Sequence, residues 1–281
     1  MGTICIVTDS TAQFPTPIFM GKQLIHILPI NIQLDGITYK EGDVKVRTLP
    51  PSIDHRLRPV VVPPSPQSIR KLLVNLSRSY EEIICIFAST NLYPMFNYAH
   101  EAVASMGEKL RILLIDSQCI STGLGVLVQS AAEALEAGAT SSDVERIICG
   151  LIPHIYSVLY IPGLTYLQFN DHLDQAQGII GEMLNLMPFF SIEEGKLTPL
   201  DKMRNLRQTI EFYQEFLAEF ETLQHIGLLQ SYPPHNQLTR TLRDAIRANH
   251  PKTLFTEHRI NLALAAMLGP RTMGMIAVEA V

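Results

Sequence analysis

Apolar runs alternate with amphipathic segments through the first half of the chain. Short apolar runs bounded by turn residues predict strands, and apolar positions three or four residues apart predict helices. The predicted strands are Thr3–Thr8, Ile25–Leu34, Ile83–Phe87 and Arg111–Ile115. The predicted helices are Gln67–Tyr80, Met95–Met106 and Gly123–Ala137. Strands that alternate with crossover helices predict an α/β domain with a mostly parallel, doubly wound sheet.

Turn residues and prolines divide this first half. The strand Ile25–Leu34 is expected to end at the turn Asp35-Gly36. Prolines follow between Val60 and Pro66, and because proline has no backbone N–H to give to a central strand, this segment is predicted as an extended loop. Ser65 before Pro66 is typical of a helix start, since serine caps backbone N–H groups and proline suits the first helical position.

The second half has a different pattern, which includes a hairpin. Its predicted helices are Ile180–Pro188, Leu206–Phe220 and Pro234–Asn249. Its predicted strands are Phe189–Ile192 and Lys196–Leu200 around the turn Glu194-Gly195, followed by His225–Gln230 and Gly274–Val278. A hairpin makes the sheet antiparallel in part, so we expect a second α/β domain with a mixed sheet. The predicted domains are residues 1–160 and 161–281, with the boundary near Tyr160–Gly163.

Composition narrows the class of protein. The 281 residues are 47% hydrophobic and 17% charged, as in a globular protein of about two domains. A net charge of -5 without a basic run argues against a nucleic-acid partner. No run approaches the ~20 apolar residues of a membrane helix, and no signal peptide precedes the first strand, so we expect a cytoplasmic protein that is not integral to a membrane.

Motifs of catalysis and of metal binding are missing from the sequence. It has no G-x-S-x-G, P-loop or H-E-x-x-H pattern, and the glycines of Gly123-Leu124-Gly125 are better explained by close packing of a helix start than by a nucleotide. The cysteines lack metal-ligand spacing and are interpreted as structural thiols. Asp9 and Asp116 each follow a strand; either they form a carboxylate pair, or each binds backbone N–H groups of the next turn, which we favour. We therefore expect no enzyme, no metal and no cofactor.

Polar side chains collect at the predicted strand ends. Parallel strands place their carboxyl ends along one crevice, where open α/β sheets bind ligands. The candidate ligand-binding hydroxyls there are those of Ser10, Thr11, Ser65, Ser89 and Thr90. Hydroxyls suit a small polar headgroup, and a domain interface can enclose an apolar tail. This arrangement predicts a binding protein.

Four segments together resemble the DegV family, bacterial two-domain proteins of the EDD fold that bind a fatty acid between their domains. They are Ile6–Pro15, Leu28-Pro29-Ile30 with Asp35–Tyr39, Ile115-Asp116-Ser117 with Gly123-Leu124-Gly125, and Asn185–Pro188 with Glu194-Gly195-Lys196. The resemblance covers nearly the whole chain. It implies a non-catalytic protein that presents a bound fatty acid to a separate fatty acid kinase.

The family's carboxylate-binding residues are replaced in this chain. The resemblance implies a Thr in a T-S-x-P-S loop, a Ser in an S-G-T-Y segment and a His in a T-H-x-G-P turn. Matched on the flanking residues, Val61, Tyr93 and Met267 occupy those three positions. The stretch Asn170-Asp171-His172 stands where the family has Gly-Gly-Arg, whose arginine is associated with the kinase.

These replacements change how the headgroup of a bound fatty acid would be held, but they do not affect burial of its acyl tail. A carboxylate buried without donors costs several kcal/mol or takes up a proton, whereas an acyl tail contributes ~0.8 kcal/mol per buried CH₂ whatever its headgroup. Two residues offer compensation. Tyr93 keeps a hydroxyl, though its ring can instead fill the pocket, and Arg271 either pairs with an acid or is a solvated turn charge, the interpretation we favour.

The leading hypothesis is a lipid-binding protein with altered headgroup recognition, whose ligand is a long-chain fatty acid or a neutral lipid. The alternative is a degenerate structural or interaction subunit of a protein complex, with the pocket closed by Tyr93 and Phe96 and no lipid bound. Ordinary delivery of a fatty acid to a kinase ranks last, because His172 replaces the arginine. The partner protein, if one exists, is accordingly a fatty acid kinase or another subunit.

Overall fold

The computed structural model of the protein describes residues 3–53, 58–107, 110–173 and 187–280. The chain divides into two compact units. Unit 1 consists of Met1–Asn31, Val62–Pro153 and Glu194–Lys196, and unit 2 of Ile32–Val61, His154–Glu193 and Leu197–Val281. These units differ from the predicted ranges 1–160 and 161–281 at residues 32–61, 154–160 and 194–196. The ranges themselves stay a prediction about folding domains.

The regular elements are numbered in chain order. The strands are β1 (Ile4–Asp9), β2 (Ile25–Leu28), β3 (Asn31–Leu34), β4 (Ile37–Tyr39), β5 (Val60–Val62), β6 (Glu82–Phe87), β7 (Arg111–Asp116), β8 (Ile155–Tyr160), β9 (Met187–Glu193), β10 (Lys196–Met203), β11 (Leu223–Gln230), β12 (Leu254–Arg259) and β13 (Met273–Glu279). The helices of the described residues are α1 (Pro66–Leu76), α2 (Met95–Ala104), α3 (Ser121–Glu136), α4 (Ser141–Leu151), α5 (Leu164–Phe169), α6 (Leu206–Ala218), α7 (Asn236–Asn249) and α8 (Leu262–Leu268).

Unit 1 is built on a four-stranded parallel sheet in the order β2-β1-β6-β7. Its central strands are buried along almost their whole length, as continuous apolar runs in parallel sheets are. The predicted parallel sheet is confirmed. The start of helix α3 packs closely against the segment that follows β1, because a Cβ on Gly125 would lie 2.0 Å from the carbonyl oxygen of Gln13. The close-packing interpretation of that glycine therefore applies, with this segment rather than a strand as its neighbour.

Unit 2 contains a six-stranded mixed sheet in the order β10-β9-β8-β13-β11-β12. Strands β11 and β12 are parallel, whereas β13 runs antiparallel to both β11 and β8. One face of the sheet packs against α6 and α7 in an apolar core that includes Tyr213, Phe216 and Leu242. The predicted mixed sheet is confirmed.

Strands β4, β3 and β5 form a third, three-stranded sheet in that order. It corrects two predictions. The single strand predicted over Ile25–Leu34 is two strands, interrupted at Pro29-Ile30 because proline cannot donate to a ladder. The segment Val60–Val62, predicted as a loop, is the strand β5; it lies at a sheet edge, where the prolines that follow it are tolerated.

Other boundaries shift by a few residues. Helix α1 ends at Leu76 rather than at Tyr80, and α3 begins at Ser121 rather than at Gly123. The predicted helix Ile180–Pro188 lies mostly outside the described residues, and its last two residues belong to β9. Across the described ranges, no helix combines the length and apolar character needed to cross a bilayer.

Candidate ligand-binding residues

Asp9 lies at the end of β1 and is fully buried. Its Oδ1 accepts hydrogen bonds from the backbone N–H and the hydroxyl of Thr11, at 2.9 and 2.5 Å, and its Oδ2 accepts one from the N–H of Ala88 at 2.8 Å. Burial raises the pKa of this carboxyl, and the three hydrogen bonds act in the opposite direction. The side chain thus ties the end of β1 to the residue that follows β6.

Asp116 has the equivalent role at the end of β7. Its Oδ1 accepts a hydrogen bond from the N–H of Gln118 at 3.0 Å, and both of its oxygens lie 3.3 Å from the N–H of Thr90. The favoured interpretation, in which Asp9 and Asp116 bind backbone N–H groups of turns, is therefore confirmed. Both carboxylates build the strand ends of unit 1.

Three of the predicted hydroxyls already serve the fold. The Oγ of Ser10 accepts a 3.0 Å hydrogen bond from the N–H of Ile30, at the break between β2 and β3. Thr11 donates to Asp9. Ser65 is the N-cap of α1 and accepts from the N–H of Ser68 at 3.3 Å, as the serine–proline pair predicted. Each hydroxyl thus already takes part in a hydrogen bond that builds the fold.

Ser89 is buried and binds the hairpin turn that belongs to unit 1. Its hydroxyl donates a 2.6 Å hydrogen bond to the carbonyl of Gly195, and the amide of Asn91 donates to the carbonyl of Glu194 at 3.3 Å. Gly195 has φ +77°, and a Cβ there would lie 2.5 Å from the Ser89 oxygen. This glycine is thus required both by its backbone conformation and by the hydroxyl beside it.

Thr90 differs from these residues. Its hydroxyl oxygen is buried and has no hydrogen-bond partner within the described residues. The same holds for Thr8 in β1 and Thr122 in the first turn of α3. Thr122 is not among the predicted crevice residues, because a sequence does not show whether a threonine hydroxyl finds a partner. Buried hydroxyls usually are hydrogen-bonded, so these three positions are candidates for polar contact with a bound molecule.

Tyr93 follows this loop and is buried, with 3% of its surface exposed. Its backbone N–H donates to the carbonyl of Ser89 at 3.0 Å. Phe96, the second residue of α2, is half-buried. The tyrosine side chain is therefore held inside unit 1 where the family resemblance implies a serine.

The remaining predicted residues belong to unit 2. Val61 is half-buried in β5, and Met267 is buried in α8 with 3% of its surface exposed. Arg271 is exposed in the turn that follows α8. Burial raises the pKa of Tyr160, while the positive charge of Arg271 acts to lower it, so the guanidinium lies near that ring. The convergence of residues from the two units on one ligand stays a prediction.

Asn170 has a structural role that the sequence does not show. Its side-chain amide donates to the carbonyls of Tyr166 at 2.9 Å and Met267 at 3.0 Å, which joins α5 to α8. Burial lowers the pKa of His172, two residues further on, so this side chain is neutral at pH 7. The segment that replaces Gly-Gly-Arg therefore carries no imidazolium charge there.

Thiols and metal-ligating side chains add no second site. Cys5, Cys85 and Cys119 are buried free thiols, and burial raises the pKa of Cys5 to about 12. Such a thiol is protonated and unreactive at neutral pH, in agreement with the structural interpretation, whereas Cys149 is exposed and has no buried structural role. Within the four described ranges, no group of three or more His, Cys, Asp or Glu side chains is arranged to hold a metal ion.

These features define a class: a two-unit α/β protein whose parallel strand ends carry a cluster of hydroxyl and carboxylate side chains. The family model "Uncharacterised protein, DegV family" matches residues 3–280. The chain belongs to the DegV family.

Relatives and solved structures agree with this assignment. A DegV domain-containing protein of Caldanaerobacter subterraneus subsp. tengcongensis is 26% identical over 287 residues, which cover 99% of this chain and all of the relative. A fatty-acid-binding DegV family protein of Thermus thermophilus has the same fold, with a TM-score of 0.82, 22% identity and coverage of 99% and 100% of the two chains. So does the Streptococcus pneumoniae fatty acid kinase (Fak) B3 protein loaded with linoleic acid, with a TM-score of 0.83, 15% identity and coverage of 99% and 100%.

Proposed function

We propose that this chain is a non-catalytic lipid-binding protein of the DegV type, which holds a long-chain fatty acid or a neutral lipid. The observation that carries the proposal is membership of the family over residues 3–280, together with the bound fatty acids of its structural neighbours. An acyl chain supplies most of the binding free energy through its buried CH₂ groups, so this capacity tolerates changes at the headgroup.

The headgroup is recognised differently from the way the family resemblance implies. Valine at position 61 and methionine at 267 have no hydrogen to donate, and Tyr93 is buried in place of a serine. The hydroxyls of Ser10, Thr11 and Ser89 make hydrogen bonds within the protein. An uncharged headgroup, such as a protonated acid or an ester, suits this set better than a carboxylate.

Thr90 is the proposed polar contact to the headgroup. Its buried hydroxyl has no partner among the described residues, while its backbone N–H is held by Asp116. The backbone of Thr90 is thus held by Asp116, and its hydroxyl can donate one hydrogen bond and accept others. Ser10, Thr11, Ser65, Ser89, Tyr93 and Arg271 are proposed as surrounding residues of the same ligand.

A fatty acid kinase or another protein subunit is the proposed class of macromolecular partner. The neutral His172 stands where the resemblance implies an arginine used with the kinase, and Asn170, at the first glycine of that segment, has a structural role. We therefore place transfer of phosphate to an acid bound by this chain below simple lipid binding. A cytoplasmic location stays a prediction from the sequence.

Native mass spectrometry of the purified full chain tests the proposal. We expect one lipid of long acyl chain per protein molecule, and organic extraction should release the same molecule for identification. A protein that is empty in both assays and co-purifies with a defined protein subunit would instead support the structural-subunit alternative.

A further inference from the structure

Unit 2 contains a cleft at the point where two strands of its mixed sheet separate. Strands β8 and β9 are paired from Tyr160↔Phe189 to Val158↔Ser191, and the pairing ends there. Beyond that point Tyr156 and Ser157 of β8 and Ile192 and Glu193 of β9 line a cleft of about 400 Å³. This volume lies within the range of small-molecule sites, which are about 300–1,000 Å³.

Helix α6 supplies the other wall of this cleft, here called the α6 cleft. Phe212, Glu215, Phe216 and Glu219 all line it, at spacings of three and four residues that place them on one helical face. The rings are held by further aromatic contacts: Phe212 lies 4.7 Å from Phe189, and Phe216 lies 5.4 Å from Phe220, between ring centroids. The apolar wall is therefore fixed before any ligand binds.

All of the charged residues that line the α6 cleft are acidic. Glu193, Glu215 and Glu219 are exposed residues that line it, and none of its lining residues is a lysine, arginine or histidine. None of the three glutamates forms an ion pair within the part of the chain that the structure describes. By contrast, Glu211 on the same helix is paired with Arg207 at 2.8 Å.

The negative charges and the apolar wall of the α6 cleft together indicate the chemistry of a ligand that would fit it. Three carboxylates without a cationic partner among the described residues, one of which (Glu193) accepts a hydrogen bond from the Ser191 hydroxyl at 2.5 Å, raise the local concentration of cations and repel anions, including fatty acids. Phenylalanine faces attract a cation electrostatically and bury the apolar body attached to it. A ligand that satisfies both features has an ammonium group on an apolar skeleton.

We propose that the α6 cleft binds a small organic ammonium ion with an apolar body. The ammonium lies among the carboxylates of Glu193, Glu215 and Glu219, and the apolar body lies against Phe212, Phe216 and Val158. The site is separate from the proposed lipid-binding residues, none of which lines this cleft.

Calorimetric titration of the full chain with 2-phenylethylammonium chloride tests the proposal. We expect a Kd at or below about 1 mM that rises with added salt, and at least tenfold weaker binding of 2-phenylethanol and of 3-phenylpropionate. Backbone NMR shifts should be confined to β8, β9 and α6. Equal affinity for the three probes, no binding, or shifts located elsewhere would overturn the proposal.

Exposed-residue variants make the test specific. The double variant Glu215→Gln and Glu219→Gln keeps shape and polarity and should weaken 2-phenylethylammonium binding about fivefold or more. Glu211→Gln is the matched control on the same helix, since its carboxylate lies outside the cleft, and it should change the Kd less than twofold. Equal Kd values for the double variant and the control would contradict the assigned role of the carboxylates. Lipid content, measured by mass spectrometry, separates this test from that of the proposed function.

Discussion

The hydroxyl of Ser89 donates a 2.6 Å hydrogen bond to the carbonyl of Gly195, 106 residues further along the chain. The turn around Gly195 has the left-handed backbone of a tight hairpin, with φ +47° at Glu194 and +77° at Gly195. The second hairpin turn, Asp35-Gly36, has nearly the same angles, +50° and +77°. The two turns therefore differ mainly in what surrounds the glycine.

Gly195→Ala is expected to destabilise the protein more than Gly36→Ala. Both changes place a Cβ at a positive φ, which costs about 1 kcal/mol. At Gly195 the new Cβ also meets the Ser89 oxygen at 2.5 Å, whereas at Gly36 nothing lies within 4 Å. We expect a loss of about 2–4 kcal/mol in the free energy of unfolding for Gly195→Ala, measured by urea denaturation.

The same two glycine substitutions, made in protein that also carries Ser89→Ala, identify the cause of that difference. In a Ser89→Ala variant, the oxygen that the new Cβ would meet is absent, so the gap between Gly195→Ala and Gly36→Ala should shrink to within about 1 kcal/mol. An unchanged gap would show that the Ser89 hydroxyl is not what makes Gly195 necessary.

Asp9→Asn is expected to lower stability strongly. Both oxygens of the buried carboxylate accept hydrogen bonds, and an amide group at Oδ2 would face the N–H of Ala88 as a second donor. The expected loss is about 2–4 kcal/mol. Asp116→Asn is the control at the end of β7, where the side chain is half-buried and its bonds to Thr90 are long, at 3.3 Å. A loss for Asp9→Asn no larger than for Asp116→Asn would contradict the role given to Asp9.

His225 makes stability depend on pH. Burial lowers its pKa to about 4 from 6.5, and its Nε2 lies 2.8 Å from the Thr256 hydroxyl, which His258 also contacts at 3.1 Å. As the pH falls from 6.5 towards 4, His225 takes up a proton in the unfolded chain but stays neutral in the folded chain. The part of the free energy of unfolding that depends on neutral His225, fully present above pH 6.5, is therefore lost over this range. The lowered pKa corresponds to about 3 kcal/mol over that range.

Urea denaturation at pH 7 and pH 4.5 measures this effect. Wild-type protein should lose about 2–3 kcal/mol more between these pH values than His225→Gln, which cannot take up a proton there. Identical losses in the two proteins would mean that His225 is not protected from protonation by the fold.

The pattern of neighbouring residues predicted many of the strands, helices and turns. The features that were not predicted depend on contacts between residues far apart in the sequence. The hairpin turn at Gly195 was predicted from its own residues, but its partner Ser89 was not, since nothing near either residue encodes the other. Strand β12 was missed because Thr256, Glu257 and His258 form a polar segment in the sequence. Thr256 is hydrogen-bonded to His225 of β11, and Glu257 to Arg243 of α7. Helix α8 was missed because its seven residues are all buried, which leaves no amphipathic period to detect.

The role of each candidate ligand-binding residue likewise depends on hydrogen-bond partners that the sequence does not show. The sequence placed hydroxyls at the strand ends of unit 1, yet Ser10 and Thr11 are engaged in building those ends. Among the predicted hydroxyls, that of Thr90 is distinguished by having no hydrogen-bond partner within the described residues. A sequence does not show which hydroxyls find partners. Likewise, Asn170 stood out as a departure from the family pattern, while its bond to the Met267 carbonyl depends on α5 and α8 lying together.

Thr90→Val is expected to weaken lipid binding through the headgroup alone. The change keeps the shape of a buried side chain and removes the hydroxyl, so affinity for a long-chain ligand should fall about three- to tenfold, without loss of stability. Displacement of a fluorescent fatty acid from delipidated protein measures this. Thr239→Val in unit 2, which also removes a buried hydroxyl without a partner among the described residues, is the control and should leave the affinity unchanged.

Identification of the molecule carried by the purified full chain tests both the proposed lipid binding and the proposed change in headgroup recognition. Native mass spectrometry followed by extraction should find one long-chain lipid per protein. The triple variant Val61→Thr, Tyr93→Ser and Met267→His should then shift the preference at least tenfold towards a free fatty acid over its methyl ester. Wild-type protein that carries no lipid, or that already prefers the free carboxylate as strongly as the triple variant, would contradict the account.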